Sequence, residues 1–310
     1  MPFRPTHRQL EYLVAVGETG HFGEAARRCH VSQPTLSVQL ALLEKQLGTV
    51  LIDRSPGRIE PTPAGHAIIA TARSVLAGLD EITALARSAR GSLGGLIRLG
   101  VVPSFGPYFL PYLLPRLHET HRELQLYIRE DRPRLLEAAV LGGETDCGLG
   151  QEPDDAGAFS FEPICREQIY LVVHRDHPLA RFDSVPAAAL KGERLLTLGR
   201  GHRLLDDVRR LAAQSGAELA EDYEGTSLDA LRQMVSIEMG LSLFPELYVR
   251  SEFGKDGNLH LIRLEDWPAE RIIGFYWRRN SSRASHFAEL ARLGKDVASR
   301  LLGNEKGPGL

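Results

Sequence analysis

Side chains that could carry thiol chemistry are few and far apart in this chain of 310 residues. The three cysteines have a spacing that fits neither a disulfide framework nor a zinc site. Cys29 falls on the apolar face of a helical pattern, and Cys147 and Cys165 lie in or beside strand-like runs. Because a reactive thiol needs a low pKa and access to solvent, the sequence predicts three inert, small hydrophobic side chains.

The histidines and the motif inventory give no stronger indication of enzymatic chemistry. His118 and His121, like His174 and His177, are three residues apart, unlike the pattern of zinc proteases. The chain also lacks a G-x-S-x-G nucleophile elbow, a Walker loop and a strand-led G-x-G-x-x-G. We therefore expect neither an enzyme nor a bound cofactor or metal ion.

The stretch CHVSQPTLSVQL, residues 29–40, combines a polar start with leucines at helical spacing. Ser32 is a suitable N-cap, and Pro34 fits the first helical turn. The leucines predict a buried face: Leu36, Leu40, Leu43 and Leu47. The other side keeps hydroxyl, amide and small apolar groups, which can reach base edges and phosphates in a DNA major groove. The candidate DNA-reading residues are Ser32, Gln33, Pro34, Thr35, Ser37 and Val38.

The flanking segments favour a winged helix-turn-helix over an ordinary capped surface helix. Two short helical patterns precede the stretch, with small alanines where the helices must cross. After it, residues 49–52 read as a strand, the turn carries Arg54 and Arg58, and Ile59 begins a return strand. Such a basic hairpin is suited to contact phosphates or the minor groove. We therefore add Arg54 and Arg58 to the DNA-binding candidates.

The next segment, residues 63–90, reads as one long helix whose apolar residues alternate spacings of three and four. Thr62 and Pro63 form its start, and three glycines follow its end. The predicted seam between two copies of this helix contains Ile68, Ala72, Val75, Leu79, Ile82 and Ala86. The alternative is a core helix of the following domain.

Composition and charge limit the setting in which the chain works. The formal net charge is −3, and residues 1–62 hold seven lysines and arginines against six acidic residues. Attraction to DNA must therefore depend on where the cations lie. No stretch approaches the ~20 apolar residues that span a bilayer, and the start lacks a signal-peptide pattern. We expect a cytoplasmic protein of two or three domains.

From residue 96 onward the pattern changes to alternating strands and helices. This alternation predicts an α/β region with largely parallel sheets. The strand-like runs are residues 96–102, 124–129, 168–174, 194–198, 241–244, 259–264 and 272–277. Residues 286–302 read as a closing helix. The region is too long for one compact sheet, so a division into two parts is expected.

The order of these motifs resembles the LysR-type transcriptional regulators. The similarity starts with LEYLVAVGETGHFGEAARRCHVSQPTLSVQLALLEKQLGTVLIDR and PTPAG. It continues through GVVPSFGPYFLPYLLPRL, VVHRDHPLA, LLTLGRGH and EGTSLDALRQMVSIEMGLSLFP, and so covers nearly the whole chain. The later stretches, together with RRCHVSQPTLS, are most similar to the OxyR peroxide-response branch.

The resemblance implies an α/β protein with an N-terminal winged helix-turn-helix, a linker helix and a two-lobed, Rossmann-like effector domain of the periplasmic-binding-protein type. The implied boundaries are 1–62, 63–90 and 91–303, with lobe I at about 95–165 and 268–303, lobe II at about 166–267, and a flexible tail at 304–310. The implied partners are double-stranded promoter DNA, a small-molecule effector, RNA polymerase and further copies of the chain in a homodimer or homotetramer, with no membrane. A solute-binding protein of the same α/β fold is opposed by the missing signal peptide and the winged helix.

In α/β folds of this kind, ligands lie at the carboxyl ends of strands, against helix N-termini. Three segments of the chain fit that description, and their N–H and hydroxyl groups favour a carboxylate or another small anion. The candidate effector-binding residues are Val102, Pro103, Ser104, Phe105, Gly106, Thr197, His202, Arg203, Thr226 and Ser227. Taken singly, Ser104, Thr226 and Ser227 also fit as ordinary N-caps. Their convergence follows from the resemblance alone.

The resemblance also bears on the stimulus. Sensors of the OxyR branch carry a reactive cysteine directly after a Gly-His pair and a second cysteine downstream. The match places Arg203 and Ala212 at these two positions, so a thiol-based peroxide-responsive activator is the alternative rather than the main expectation. Arg203 either pairs locally with Asp206 or Asp207, or it binds an anionic ligand in the cleft.

Overall fold

The computed structural model describes residues 4–55, 59–88, 95–220, 222–253 and 257–303, without side chains at 80, 81 and 83–88. The chain divides into two compact units. One is Met1–Gly91 with Leu141–Thr145, and the other is Ser92–Val140 with Asp146–Leu310. Among the described helices, none combines the length and the apolar character that crossing a membrane requires.

The first unit begins with three short helices, each capped by a polar side chain. They are α1 (His7–Thr19), α2 (Phe22–Arg28) and α3 (Gln33–Leu47), and their N-caps are Thr6, His21 and Ser32. The Ser32 hydroxyl accepts a hydrogen bond from the Thr35 N–H at 3.3 Å, which confirms the predicted cap. The leucine stripe of α3 is also confirmed, because Leu36, Leu40 and Leu43 are fully buried in the core of this unit.

The wing is a much shorter hairpin than predicted. Its strands, β1 (Ile52–Asp53) and β2 (Glu60–Pro61), pair antiparallel, and residues 49–51 are not part of a strand. The side chain of Glu44 explains the difference, because its Oε1 accepts the N–H groups of Leu51 and Ile52 at 2.9 and 3.1 Å. A carboxylate thus replaces a neighbouring strand as their acceptor. Arg58 lies outside the described residues.

The long helix α4 (Pro63–Ser88) confirms the predicted helix of this segment, but part of its predicted seam faces inward. Ala72 is only 1% exposed in the core of the first unit, and Ile68 packs against that core. Including Ala72 in an intermolecular seam was therefore wrong. The physical reason is that α4 carries two apolar stripes, one after the other along nearly the same face, since Ala72 and Leu79 are seven residues or about two turns apart. Only the first stripe packs against the core of the first unit.

The other predicted seam residues remain on the surface of α4. Val75, Leu79 and Ile82 are 47%, 43% and 65% exposed. Ala86 falls among the side chains that are not described. The exposed stripe is therefore the part of the helix that can meet a second copy.

The second unit contains ten strands and six helices among the described residues, besides two short 3₁₀ turns. Its strands are β3 (Gly95–Val101), β4 (Leu124–Glu130), β5 (Cys147–Gln151), β6 (Phe159–His174), β7 (Ser184–Val185), β8 (Arg194–Leu195), β9 (Glu218–Leu219), β10 (Ser242–Pro245), β11 (Leu259–Leu264) and β12 (Glu270–Arg278). Its helices are α5 (Gly106–Thr120), α6 (Pro133–Leu141), α7 (Arg203–Ser215), α8 (Leu228–Ser236), α9 (Glu246–Glu252) and α10 (Ala284–Leu302).

Eight of these strands form one mixed sheet, so the expectation of largely parallel sheets was wrong. The sheet order is β4-β3-β5-β12-β6-β11-β7, with β10 also paired to β6. Strand β3 runs parallel to β4 and β5, but β10, β11 and β12 all run antiparallel to β6. The cause is the length of β6, which extends through both halves of the unit. The later strands β10, β11 and β12 all pair with it in the opposite direction.

The apolar cores follow the proposed division into two lobes. One core is built mainly from residues between Ile97 and Ile164 and between Ile273 and Ala298. Two further clusters lie between Ile169 and Leu264. Strand β6 contributes to all three cores, which makes it the common element of the lobes. The exact lobe boundaries remain our proposal.

Candidate functional site

The polar start of α3 lies on the surface of the first unit. Ser32, Gln33, Pro34 and Thr35 are exposed, Ser37 is half-buried, and Val38 is 64% exposed. The hydroxyls of Ser32 and Thr35 are 2.8 Å apart and hydrogen-bonded to each other. This bond positions the Thr35 side chain at the first turn of the helix, where a DNA base or phosphate could be contacted.

Glu44 connects this helix to the wing, and the sequence analysis missed it. Besides its two bonds to backbone N–H groups, its carboxylate accepts from Arg54 Nη2 at 2.7 Å. The Arg54 guanidinium also lies 5.3 Å from the centre of the Phe22 ring. The predicted wing arginine is therefore held beside α3 by an acid that no local motif identifies.

In the second unit, three predicted segments were expected to converge, and two of them do. Val102, Pro103 and Ser104 follow β3, and His202 and Arg203 begin α7; all five line one cavity. Its other lining residues are Pro133, Gln151, Ile169, Leu198, Leu204, Asp207, Pro245 and Arg271. The carboxyl end of a strand and the start of a helix thus meet, as the fold rule requires.

The remaining predicted effector residues do not line this cavity, and Phe105, Gly106 and Ser227 have structural roles. Phe105 is fully buried in the core of lobe I, and a Cβ on Gly106 would come within 2.6 Å of Val101. Thr197 is buried rather than exposed to the cavity. Ser227 caps α8 by accepting the Ala230 N–H at 3.1 Å. These residues do not line this cavity, and their assignment to effector binding stays a prediction.

Thr226, next to Ser227, also lies outside this cavity, and its assignment to effector binding stays a prediction. It is exposed, and it does not line the cavity that holds Ser104 and Arg203. The first N–H groups of α8 have no acceptor within the helix, so the segment before it must supply one. Of the two short polar residues before α8, Ser227 is shown to cap the helix.

Arg271 of β12 is a site residue that the sequence analysis missed. Its guanidinium donates to Ser104 Oγ at 2.7 Å, to the Ser104 carbonyl at 2.9 Å and to Glu167 Oε2 at 2.7 Å. The other oxygen of Glu167 accepts the Leu247 N–H at 2.8 Å. Burial raises the pKa of the Glu167 carboxyl, although the Arg271 charge opposes this.

The direction of these bonds defines what Ser104 offers to a ligand. A guanidinium has only donors, so Ser104 Oγ must accept from Arg271. The Ser104 hydroxyl proton is then free to point at an acceptor in the cavity. His202 lies in the same wall, and burial lowers its pKa, so its ring is neutral near pH 7.

Arg203 does not form the predicted local pair; it lines the cavity and pairs with two carboxylates from other elements. Its Nη2 lies 3.1 Å from Glu137 Oε1 on α6 and 3.2 Å from Asp154 Oδ1, after β5. The expected local pair is wrong, because the neighbouring Asp207 carboxylate binds Arg210 instead. Burial raises the pKa of Glu137, and the hydrogen bond from Arg203 opposes that rise.

This inner cavity measures only about 20 Å³, and it shares Gln151, His202, Arg203 and Asp207 with an outer cavity of about 740 Å³ that is rich in arginine. Its charged lining residues are Arg134, Arg200, Arg203, Arg209, Arg210, Asp154, Asp206 and Asp207. Since arginines outnumber aspartates, the space carries a positive potential that attracts anions.

The three thiols differ from a reactive centre in burial and in pKa. Cys147 is fully buried, and burial raises its pKa. Burial also raises the pKa of Cys165 to about 12 and increases that of Cys29. These thiols are protonated near neutral pH, so none of them is a ready nucleophile toward peroxide.

A winged helix-turn-helix, a long helix and a two-lobed α/β unit with a polar cavity define a ligand-responsive transcriptional regulator. Residues 7–66 match the bacterial regulatory helix-turn-helix protein, lysR family, and residues 90–298 match the LysR substrate binding domain. The chain belongs to the LysR family. It is a DNA-binding transcription regulator with an effector-binding domain.

Known proteins similar to the chain include regulators of the OxyR type. A hydrogen peroxide-inducible genes activator of Escherichia coli O6:H1 is 37% identical, covering 92% of this chain and 93% of the relative. A full-length OxyR variant from Pseudomonas aeruginosa matches with a TM-score of 0.78 and 31% identity, covering 94% and 98% of the two chains. Full-length CbnR complexed with its target DNA matches with a TM-score of 0.65 and 26% identity, covering 93% and 99%.

Proposed function

We propose that a small anion, bound in the cavity of the second unit, controls how this regulator binds its promoter. The observation that carries the proposal is the convergence of donors on that cavity. Ser104 is held by Arg271 so that its hydroxyl can donate, and Arg203 supplies a half-buried positive charge. Charge-assisted bonds from such groups are stronger than neutral ones and favour carboxylates and other oxyanions.

Calorimetric titration of the full-length protein with acetate, malonate, succinate and citrate tests this proposal. Arg203→Ala should weaken the best of these ligands by about 2 kcal/mol, roughly 30-fold, because it removes a partly desolvated cation. Thr226→Ala is the matched control, since this exposed residue lies outside the cavity, and it should bind like the native protein. Equal binding by all three proteins would place the effector elsewhere.

In the first unit, we propose that α3 reads the major groove and that the wing contacts the phosphate backbone. The α3 residues of this proposal are Ser32, Gln33, Pro34, Thr35, Ser37 and Val38. The wing residues are Arg54 and Arg58. Exposed hydroxyls on a rigid helix turn support base contact, and a methyl-bearing Val38 can pack on thymine.

Thr35→Ala should reduce discrimination between the operator and unrelated DNA by about 1–3 kcal/mol, because a base contact is lost. The measurement is competitive titration of a labelled operator, selected from fragments that co-purify with the protein. Thr120→Ala provides the control, since it removes an exposed threonine hydroxyl from the second unit. Unchanged discrimination in Thr35→Ala would remove this residue from the reading face.

We also propose that α4 joins two copies of the chain, as a dimer or within a tetramer. The exposed stripe of Val75, Leu79 and Ile82 supports this, because a helix rarely leaves a row of large apolar side chains in water. Two half-sites on a DNA duplex would then face two α3 helices. We further propose that the protein acts in the cytoplasm, where it contacts RNA polymerase at the promoter.

Peroxide-responsive activation is the second candidate, and it is supported by similarity to the peroxide-inducible activator of Escherichia coli O6:H1. The raised pKa values of the three thiols argue against a thiol mechanism. The combined variant Cys29→Ser, Cys147→Ser and Cys165→Ser should therefore keep whatever response of operator binding hydrogen peroxide produces in the native protein. A native response that disappears in this variant, and also in Cys165→Ser alone, would establish a thiol sensor.

A further inference from the structure

Arg203 connects two parts of the second unit that are far apart in sequence. It is the first residue of α7 in lobe II, whereas Glu137 on α6 and Asp154 after β5 belong to lobe I. The Arg203 side chain is 26% exposed and that of Glu137 is 14% exposed, so this pair is largely shielded from water. The Asp154 side chain is 68% exposed, so this second partner of Arg203 lies at the surface.

The same arginine also lines the cavity assigned to the effector. It contributes to the inner cavity with Ser104 and to the outer cavity with Asp154. A carboxylate ligand entering this space would meet a guanidinium that already has two protein carboxylates as partners. Both protein carboxylates contact Nη2. Each of the two edges by which a guanidinium binds a carboxylate bidentately includes this nitrogen, so a ligand carboxylate bound in that way competes with Glu137 and Asp154.

Neighbouring arginines make that competition favourable for a dianion. Within the described parts of the chain, the guanidiniums of Arg200 and Arg209 have neither a hydrogen bond nor an ion pair, and both line the outer cavity. A ligand with two carboxylates can place one on Arg203 and the other on these free cations. One ligand carboxylate then takes the place of the protein carboxylates on Arg203, and the second pairs with cations that had no ion pair before.

We propose that the ion pairs of Arg203 with Glu137 and Asp154 form a latch between the lobes, which a small dicarboxylate opens by taking their place on Arg203. This inference rests on the proposed anion control of promoter binding and adds its switching step. Without ligand, the latch holds the start of α7 against α6. With ligand, α7 is released from α6 and is bound through the dicarboxylate instead. The equilibrium shifts only because the ligand binds the open state better.

The latch predicts that weakening the protein's own carboxylates strengthens ligand binding. Glu137→Gln keeps the shape of the side chain but removes the charge that competes for Arg203. In full-length protein, this variant should bind succinate about tenfold more tightly than the native chain, within the usual range of such couplings. Asp154→Asn should act in the same direction but more weakly, because Asp154 is mostly exposed. Glu119→Gln removes a surface carboxylate that pairs with Arg116, and it should change nothing.

Calorimetry with succinate, and with the uncharged succinamide as a control, distinguishes the possible outcomes. Tighter binding in both Glu137→Gln and Asp154→Asn, with loss in Arg203→Ala, supports the latch. Weaker binding in Arg203→Ala, with unchanged affinity in Glu137→Gln and Asp154→Asn, leaves the effector site intact and overturns the latch. Binding that none of these substitutions alters contradicts both the effector site and the latch.

A second readout tests the switching step itself. Because Glu137→Gln opens the latch without ligand, its operator affinity should lie nearer to that of the succinate-bound native protein than to that of the free native protein. An operator affinity equal to that of the free native protein, in a variant that binds succinate more tightly, would overturn the coupling between latch and promoter binding.

Discussion

Ile82→Asp is expected to abolish the dimer that forms through α4 and to weaken operator binding by about 100-fold. Two like charges would face each other across an apolar seam, at a cost of several kcal/mol for each buried ion. Once the copies separate, each α3 helix binds a half-site alone, and the gain from bivalent binding is lost. Sedimentation velocity and operator titration measure the two effects.

Ser74→Asp is the control for this substitution. Ser74 is an exposed polar residue of α4 on the side of the helix away from both apolar stripes. An aspartate there tests whether a new charge alone disturbs the helix, and both the dimer and the affinity should remain native. If Ile82→Asp also left the dimer intact, association would have to run through the second unit.

Arg271→Met is expected to lower the free energy of unfolding of the second unit by about 3–5 kcal/mol. The substitution leaves the Glu167 carboxylate buried without its cation, and it removes both bonds that hold Ser104. Urea unfolding of the full chain measures the effect. Arg166→Met is the matched control, because the nearby pair of Arg166 with Glu270 is exposed and spans 3.7 Å. It should cost less than about 1 kcal/mol.

The pH dependence of this destabilisation has a definite sign. The folded-state pKa of Glu167 is already raised by burial, and losing Arg271 raises it further. Between the unfolded and folded pKa values, the folded state binds more protons, so stability falls as pH rises through that window. The stability difference between Arg271→Met and the native protein should therefore narrow from about pH 7 to about pH 5. If this stability difference stays constant or widens toward pH 5, the Glu167 carboxylate is not the cause of the destabilisation.

Adding Glu167→Gln to Arg271→Met should restore part of the stability, because the buried charge is removed together with its partner. Residues in direct contact do not contribute additively to stability. The double variant should therefore lose less free energy of unfolding than the two single variants lose together. If the two effects are simply additive, the ion pair is not the source of the loss.

Local sequence was sufficient to predict the elements that depend on near neighbours. The cap at Ser32, the buried leucines of α3 and the start of α4 after Thr62 follow from hydrogen bonds and periodicity within a few residues. The order of these elements also carried the family resemblance. The positions of Ser104, His202 and Arg203 were predicted to converge only through that resemblance, and these residues do line one cavity.

Tertiary structure alone decided which charged groups meet. Arg271 and Glu167 are separated by 104 positions, and Arg203 and Glu137 by 66, so no helical or strand period relates them. The Arg271–Glu167 pair follows from the path of β6, which the sequence pattern did not distinguish from a shorter strand in a parallel sheet.

The same limit of local sequence applies to the two apolar stripes of α4, and to the serines Ser32 and Ser227 that begin α3 and α8. Periodicity shows that a face is apolar, and a serine shows that a helix begins, but neither shows what lies opposite. Ala72 is covered by its own unit, whereas Ile82 is left exposed. Burial depends on contacts between segments distant in the chain, and the side-chain pattern of one segment does not contain that information.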